Sequence, residues 1–524
     1  MSTGNEVKTE GKEKVVTTWQ ALILLGIIAF VMSSFAQGVL VGGVRVRGDF
    51  RIALMVIWLM LFIACAILKI NWGSVWKACL AGIHSALGAI MILVCVGALI
   101  GAWMSSGTIA YVIRLGLMLI HPSVFFLTTL ILTSLMSLFT GTSTGSAATA
   151  GVAMASVGVA MGMPVGITAG AAITGALFGD KISPLSDTTV YIAALHDIDL
   201  FSHIRSMLYT MIVPYTLSML FFLFLGLRHY GGAGVEGMAN VYDVIATLDY
   251  TMRMSPVTLI PLVIVIILLL KKFPVVPALI IGAFSGGLVA WLYQGVPFMR
   301  SINLMHTGFN ITRDLGIAPE AILAVTGNPE AARIVTLALN RGGIMELAAM
   351  LILVLFAVGM GSILNKMGVI EAIIAPFRDK LGNVRRLTLF SLFVSYLTGF
   401  LTSTMTASNV LTSNLMAPVY REKGVAREVN ARAAECGGTL GAPVIPYSSM
   451  SIIFVGFLLP GMDQIEGWLS FVPFLPLTYL ASIAAIVCAF LHKGIWYTHA
   501  GGDNTRISRE EHKRLYPNAL PRQK

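Results

Sequence analysis

TGTSTGSAAT at residues 140–149 and TSTMTASNVL at 402–411 open two copies of one 48-residue text. The first copy closes on GDKISPLSD at 179–187 and the second on GAPVIPYSS at 441–449, and the two align without a gap. Fifteen positions are identical, among them Thr140/Thr402, Thr142/Thr404, Thr144/Thr406, Ser146/Ser408, Pro184/Pro446 and Ser186/Ser448. Both copies crowd hydroxyls, glycine and proline into a chain otherwise built of long apolar runs. A duplicated polar break inside a membrane protein predicts a transporter of two related halves that meet at one site.

The rest of the chain supports a membrane setting. Of 524 residues, 56% are hydrophobic and only 11% charged, which leaves too little polar surface for a soluble globule. Apolar runs able to cross a hydrocarbon core of about 30 Å lie near 19–42, 52–70, 85–105, 206–227, 254–270, 273–292, 346–365 and 467–491. The expected fold is therefore all-α, with about 10–12 membrane helices in two inverted-topology repeats, each holding a re-entrant hairpin and a broken helix. Residues 1–17 read as a soluble tail, 18–227 as the first repeat, 228–253 as an external linker, 254–492 as the second repeat and 493–524 as a basic tail. The net charge of +10 is spread over loops and tails, a positive-inside pattern and not a nucleic-acid surface. Cys65, Cys79, Cys95, Cys436 and Cys488 lie in or beside apolar segments without metal spacing, so they read as small buried residues.

Loop charges set the orientation. Residues 106–122 carry only Arg114, whereas their counterpart 366–386 carries Lys366, Arg378, Lys380, Arg385 and Arg386. Residues 159–170 carry no charge, whereas 421–432 carry Arg421, Lys423, Arg427 and Arg432. The second-half loops are expected in the cytoplasm and the first-half loops outside, which inverts the halves and places both termini of this cell (inner) membrane protein in the cytoplasm. Arg45, Arg47 and Arg51 run against this scheme. Residues 293–345 have no first-half match and read as an interfacial cover or dimer contact, with an amphipathic patch from Glu330 to Leu339.

The second copy enters and leaves by one charged face, so Thr402, Thr404, Thr406, Ser408 and Asn409 are expected at the tip of a re-entrant hairpin. By the repeat, Thr140, Thr142, Thr144 and Ser146 sit at a second tip, from the opposite face. Unpaired backbone at that depth costs several kcal/mol per group unless it lines a polar cavity or is buried in protein. Hydroxyl-rich tips suit a desolvated cation through their oxygens, or an anion through helix N-termini. The alternative is that the small residues only permit close helix packing. After each hairpin, Pro184 and Pro446 break a second helix. The first break holds Asp180, Lys181 and Asp187 in an apolar region, where ionisable groups mark ion paths. Their carboxylates, with Ser183 and Ser186, are the candidate sodium and proton ligands. Either Lys181 pairs with Asp180 for structure, or Asp180 serves transport. Glu435 is either a second proton carrier or the partner of Arg432. His84, His121, His203, Glu346 and Glu371 are expected as anchors at membrane boundaries, and His196, Asp197 and Asp199 as a loop end or an exit path. No nucleotide-binding or metalloprotease motif is present, so no cofactor and no enzymatic activity are expected; the energy source is an ion gradient.

FGDKISPLSDTT at 178–189, followed by DLFSHIRSMLYT at 199–210, resembles the NhaC-type sodium/proton antiporter family of the ion transporter superfamily. TGTSTGSAAT at 140–149, LNRGG at 339–343 and GTLGAPVIPYS at 438–448 extend the resemblance over most of the chain. The family includes sodium/proton exchangers, a malate/lactate antiporter and amino-acid carriers. The resemblance implies the inverted-repeat fold, a possible homodimer, and Asp180, Ser183, Ser186 and Asp187 in the transport core. The second half departs from it. Where exchangers of the family read TGDQY this chain reads TSTMT, so Thr404 replaces a carboxylate; an acidic pair is reduced to Glu435–Cys436, and Tyr447 stands for a tryptophan. The resulting expectation is a sodium/proton antiporter working by alternating access. The alternative is an ion-coupled carrier of an amino acid or organic acid, with the solute held at Thr404, Thr406, Ser408 and Asn409.

Overall fold

The computed structural model describes residues 16–37, 39–41, 44–46, 49–184, 186–230, 235–271, 273–381 and 383–516. It is a helical bundle with two short two-stranded ribbons, Val39–Val41 with Val44–Val46 and Tyr497–Thr498 with Arg506–Ile507. Among the described residues, seven helices are long and apolar enough to cross a membrane, and up to eleven if each bent pair is one span. Their outward faces carry large apolar side chains such as Phe30, Leu59, Val213 and Phe224, as lipid contact demands. The expected all-α membrane protein is what the chain forms.

The repeated text folds twice into the same local geometry. Helix Phe125–Thr140 ends on Gly141 at φ 69°, and helix Val384–Thr402 ends on Ser403 at φ 60°. The next residue, Thr142 or Thr404, caps the following helix by accepting the amide of Gly145 or Ala407. Serine at 403 holds the left-handed turn that glycine takes without strain in the first copy. The returning segments are Ser143–Ser146, the π-helical Ala147–Gly151 and Val152–Ala160 in the first copy, and one helix, Met405–Glu422, in the second. Thr398 Oγ1 reaches Ser408 Oγ at 3.0 Å and Thr412 Oγ1 at 2.9 Å, so the arms of the second hairpin lie side by side.

Each hairpin then packs on a broken helix. Val165–Ile182 is followed by Asp187–Leu195, capped by Ser186, and Arg427–Gly438 is followed by Ser449–Leu458, capped by Ser448. Glycine at the equivalent positions 175 and 437 lets each broken helix touch its hairpin: a Cβ at 175 would stand 2.2 Å from Leu130 O, and one at 437 would stand 2.6 Å from Ser395 Oγ. The equivalent carbonyls of Leu138 and Phe400 are each closed by a hydroxyl from the break, Ser183 Oγ and Tyr447 Oη, both at 2.7 Å.

The structure corrects one sequence expectation and adds detail to others. Residues 106–122 are not a loop: Thr108–Leu119 is an amphipathic helix, bent 72° from Ile90–Ser105 about Gly107. The linker 228–253 contains helix Val235–Thr251, and Asp249 pairs with Arg114 at 3.0 Å. Within 293–345, the amphipathic patch is helix Pro329–Leu339, whose apolar face packs on Val235–Thr251 and Val152–Ala160. Arg51 is neutralised by Asp49, which also caps helix Phe50–Ile67; Arg47 and the side chain of Arg45 lie outside the described residues. The basic tail folds back on the bundle: Trp496 O accepts the Ala426 amide, and Arg506 stacks 3.7 Å over the Trp496 ring while pairing with Glu428 at 2.7 Å.

Candidate functional site

The two broken helices and helix Leu200–Tyr230 bring four ionisable side chains together away from solvent. Asp180 and Lys181 occupy the last turn of Val165–Ile182, and Glu435 the last turn of Arg427–Gly438. Lys181 Nζ stands 2.7 Å from Glu435 Oε2 and 3.3 Å from Asp180 Oδ2. The shorter contact is an ion pair. His203, from helix Leu200–Tyr230, places Nε2 3.3 Å from Glu435 Oε1. Thr188 joins the set: its hydroxyl lies 2.5 Å from Lys181 Nζ, 3.2 Å from Asp180 Oδ2 and 3.0 Å from Ser186 Oγ. The side chains of Lys181, Glu435 and His203 are wholly buried and that of Asp180 is 3% exposed.

Charge counting makes this arrangement chemically open. Two carboxylates and one ammonium carry a formal charge of minus one when His203 is neutral, in a place where each buried ion costs several kcal/mol to desolvate. One further monovalent cation brings the cluster to neutrality. A proton on a carboxylate does so, and so does a sodium ion on carboxylate and hydroxyl oxygens.

The predicted residues distribute unevenly around this cluster. Asp180, Glu435 and Ser186 belong to it, while Ser183 faces the first hairpin through Leu138 O. Asp187 begins helix Asp187–Leu195, but its side chain lies outside the described residues. At the first tip Thr140 meets Ser146 at 3.1 Å and Thr142 meets Thr144 at 3.2 Å. At the second, Thr402 donates to Thr404 O, Ser408 to Ser395 O and Asn409 to Thr439 Oγ1, so these groups tie the hairpin together; Thr406 is exposed. The tips are linked through the second copy's broken helix: Ser143–Ser146 packs on Ser449–Leu458, and the Ser449 amide donates to Ser403 O at 2.8 Å.

One alternative left open by the sequence is settled and one expectation is corrected. Glu435 is not the partner of Arg432, whose guanidinium donates to the carbonyls of Ser206 and Gly494. His203 is not a boundary anchor. The signal for it was present: His203, Ser206 and Thr210 recur on one face of a long apolar helix, and all three are fully buried. Two cavities lie at the ends of the two broken helices. One, of about 600 Å³, lies where Asp187–Leu195 and Met405–Glu422 end and is lined by His196, Asp197, Arg421, Arg427 and Asn430. The other, of about 510 Å³, lies at the end of Ser449–Leu458 and is lined by Asp49, Arg51, Glu346 and Asp463.

The chain has clear relatives among known proteins. Residues 3–195 and 175–491 match the Na+/H+ antiporter family model. The chain is 35% identical to a malate-2H(+)/Na(+)-lactate antiporter of Bacillus subtilis, over 93% of this chain and 97% of that protein. It is 29% identical to the Na(+)/H(+) antiporter NhaC of Alkalihalophilus pseudofirmus (92% and 97%) and 28% identical to an arginine/ornithine antiporter of Halobacterium salinarum (91% and 93%). The chain belongs to the Na+/H+ antiporter family.

Proposed function

We propose that this antiporter exchanges sodium for protons at the Asp180–Lys181–Glu435 cluster, with Lys181 as the element that makes the two ions exclusive. The carrying observation is the position of its ammonium, 2.7 Å from Glu435 and 3.3 Å from Asp180, buried with both. When Glu435 takes a proton, Lys181 belongs wholly to Asp180 and the cluster is neutral. When sodium pairs with Asp180, with Thr188 and Ser186 oxygens beside it, Lys181 belongs to Glu435 and the cluster is again neutral. Binding both ions leaves a buried positive charge, and binding neither leaves a negative one, so the neutral states are the ones that cross. The side chain of Asp187, next to Ser186, is a further sodium ligand in this reading.

Alternating access follows from the repeats. The cavities stand at the ends of equivalent elements, the first and the second broken helix. Opposite loop charges in the two halves support inverted copies, which puts these cavities on opposite faces, with the larger one in the cytoplasm. Rocking of one half against the other then opens the cluster to each face in turn, in the cell membrane with both termini inside.

A second reading is supported by the malate/lactate relative and by the replacement of a carboxylate by Thr404 at the second tip: an organic acid joins the exchange. Protein reconstituted in liposomes with a trapped pH dye separates the two. A sodium gradient that moves protons without added solute, and fails to do so in Glu435→Gln and Asp180→Asn, supports the first. Proton movement only after lactate or malate is added selects the second.

A further inference from the structure

We infer that His203 is a proton relay to Glu435, fed from the 600 Å³ cavity past His196; the inference rests on the antiport reading above. Hydrogen bonding decides where each imidazole carries its hydrogen. Ile192 O can only accept, so His196 holds its hydrogen on Nδ1, 3.0 Å away, and Nε2 is a bare lone pair. Ionised Glu435 can only accept, so neutral His203 holds its hydrogen on Nε2, and Nδ1 is bare. Both bare nitrogens are buried without a hydrogen-bond partner. A bare imidazole nitrogen buried on the ring that touches Glu435 is costly until it receives a hydrogen.

The surroundings give the route a direction. His196 lines the cavity, and Arg427, which donates to His196 O, pairs with the exposed Asp197 at the rim. On the far side of Glu435 stands Lys181, with Asp180 behind it. A proton from water in the cavity passes by His196 to the lone pair of His203 Nδ1. His203 then releases the hydrogen on Nε2 to Glu435 Oε1. The ring ends as the other neutral tautomer, with Nε2 accepting from the new carboxylic acid, and the reverse transfer discharges the proton. Charge and proton count balance at each step, and Lys181 is freed toward Asp180. His203 thus touches the reacting carboxylate, whereas His196 acts through it.

The test uses full-length protein in liposomes and reads two fluxes: sodium-driven proton movement, and radioactive sodium-for-sodium counterflow, which needs no proton. Gln at 203 keeps a donor toward Glu435 but cannot pass a proton through itself. In His203→Gln the proton flux is expected to fall about 10²-fold and its pH profile to flatten, with counterflow falling less than about threefold. His196→Gln is expected to show the same selective loss, about tenfold. Equal loss of both fluxes in both variants marks a packing role and overturns the relay, as does an unaltered proton flux in His203→Gln. Wild-type protein that moves no protons with sodium, with or without lactate or malate, overturns the antiport reading and the relay with it.

Discussion

Removing the ammonium at position 181 tests the charge logic of the cluster most directly. In Lys181→Met a side chain of similar length keeps the packing, but Asp180 and Glu435 are left buried without their shared cation. At an effective dielectric constant of about 20, contacts of 2.7 and 3.3 Å correspond to roughly 6 and 5 kcal/mol of Coulomb attraction. Relief of the lysine's own desolvation returns several kcal/mol, so the net loss on breaking such a buried set is about 3–5 kcal/mol. Lys181→Met with Glu435→Gln restores the wild-type charge of minus one and is expected to recover at least half of that loss. Thermal unfolding in detergent, with and without sodium, measures both terms. The single variant should be rescued by sodium more than the wild type, because its cluster lacks two positive charges and not one. Sodium-driven proton movement should be lost in either variant, since nothing then couples the two carboxylates. A single variant as stable as the double, or one that still exchanges sodium for protons, would refute the argument.

Gly175→Ala places a methyl 2.2 Å from Leu130 O and Thr133 Oγ1 and should cost about 1–3 kcal/mol, read as a lower melting temperature. Gly26→Ala, with nothing within 4 Å in its helix, should be neutral or gain up to about 1 kcal/mol in the same assay. Arg506→Ala leaves buried Glu428 with Asn504 and Ser202 alone and should destabilise the docked tail by about 1.5–3 kcal/mol, seen as faster hydrogen exchange over 495–516. Burial holds the His512 imidazole below its ordinary value, with a bond to Lys423 O opposing and the neighbouring His499 adding to the shift. The undocked tail therefore binds the proton more readily. Docking is complete above about pH 6.5 and weakens as pH falls toward the lowered value, so exchange over 505–516 should rise in acid and the rise should vanish in His512→Gln.

The fold was legible in the sequence where polarity is anomalous, and illegible where it is ordinary. Hydroxyls, glycine and proline in apolar text marked both tips and both breaks, because backbone left unpaired in lipid is costly enough to leave a signature. Helix Thr108–Leu119 was hidden because Ser105–Ser106–Gly107 reads as a turn and the segment beyond is too short to span. The site was half legible. Asp180, Lys181 and Glu435 stand out singly as charges in apolar surroundings, but their pairing is a long-range contact that joins two repeats and carries no local pattern. Thr188 looked like any helix-start threonine, and His203 like a boundary residue, until helix Leu200–Tyr230 turned its buried polar face to Glu435.

The duplicated text makes a frame whose two halves are used for different things. Where the first copy has Asp180 and Lys181 the second has Ala442 and Pro443, and where the second has Glu435 the first has Ile173. Each copy thus supplies charge at a position where the other is apolar, while the turn, the caps and the glycine contacts are kept in both. A symmetric cluster would duplicate every charge and double the desolvation cost. The asymmetric one needs a single ammonium to serve carboxylates from both halves. Any rocking of one half against the other must move Glu435 relative to Lys181, so occupancy of the cluster and the motion that exposes it bear on the same 2.7 Å contact. In the proposed exchange each neutral state keeps Lys181 paired with a different half, so replacing one cation by the other shifts that contact.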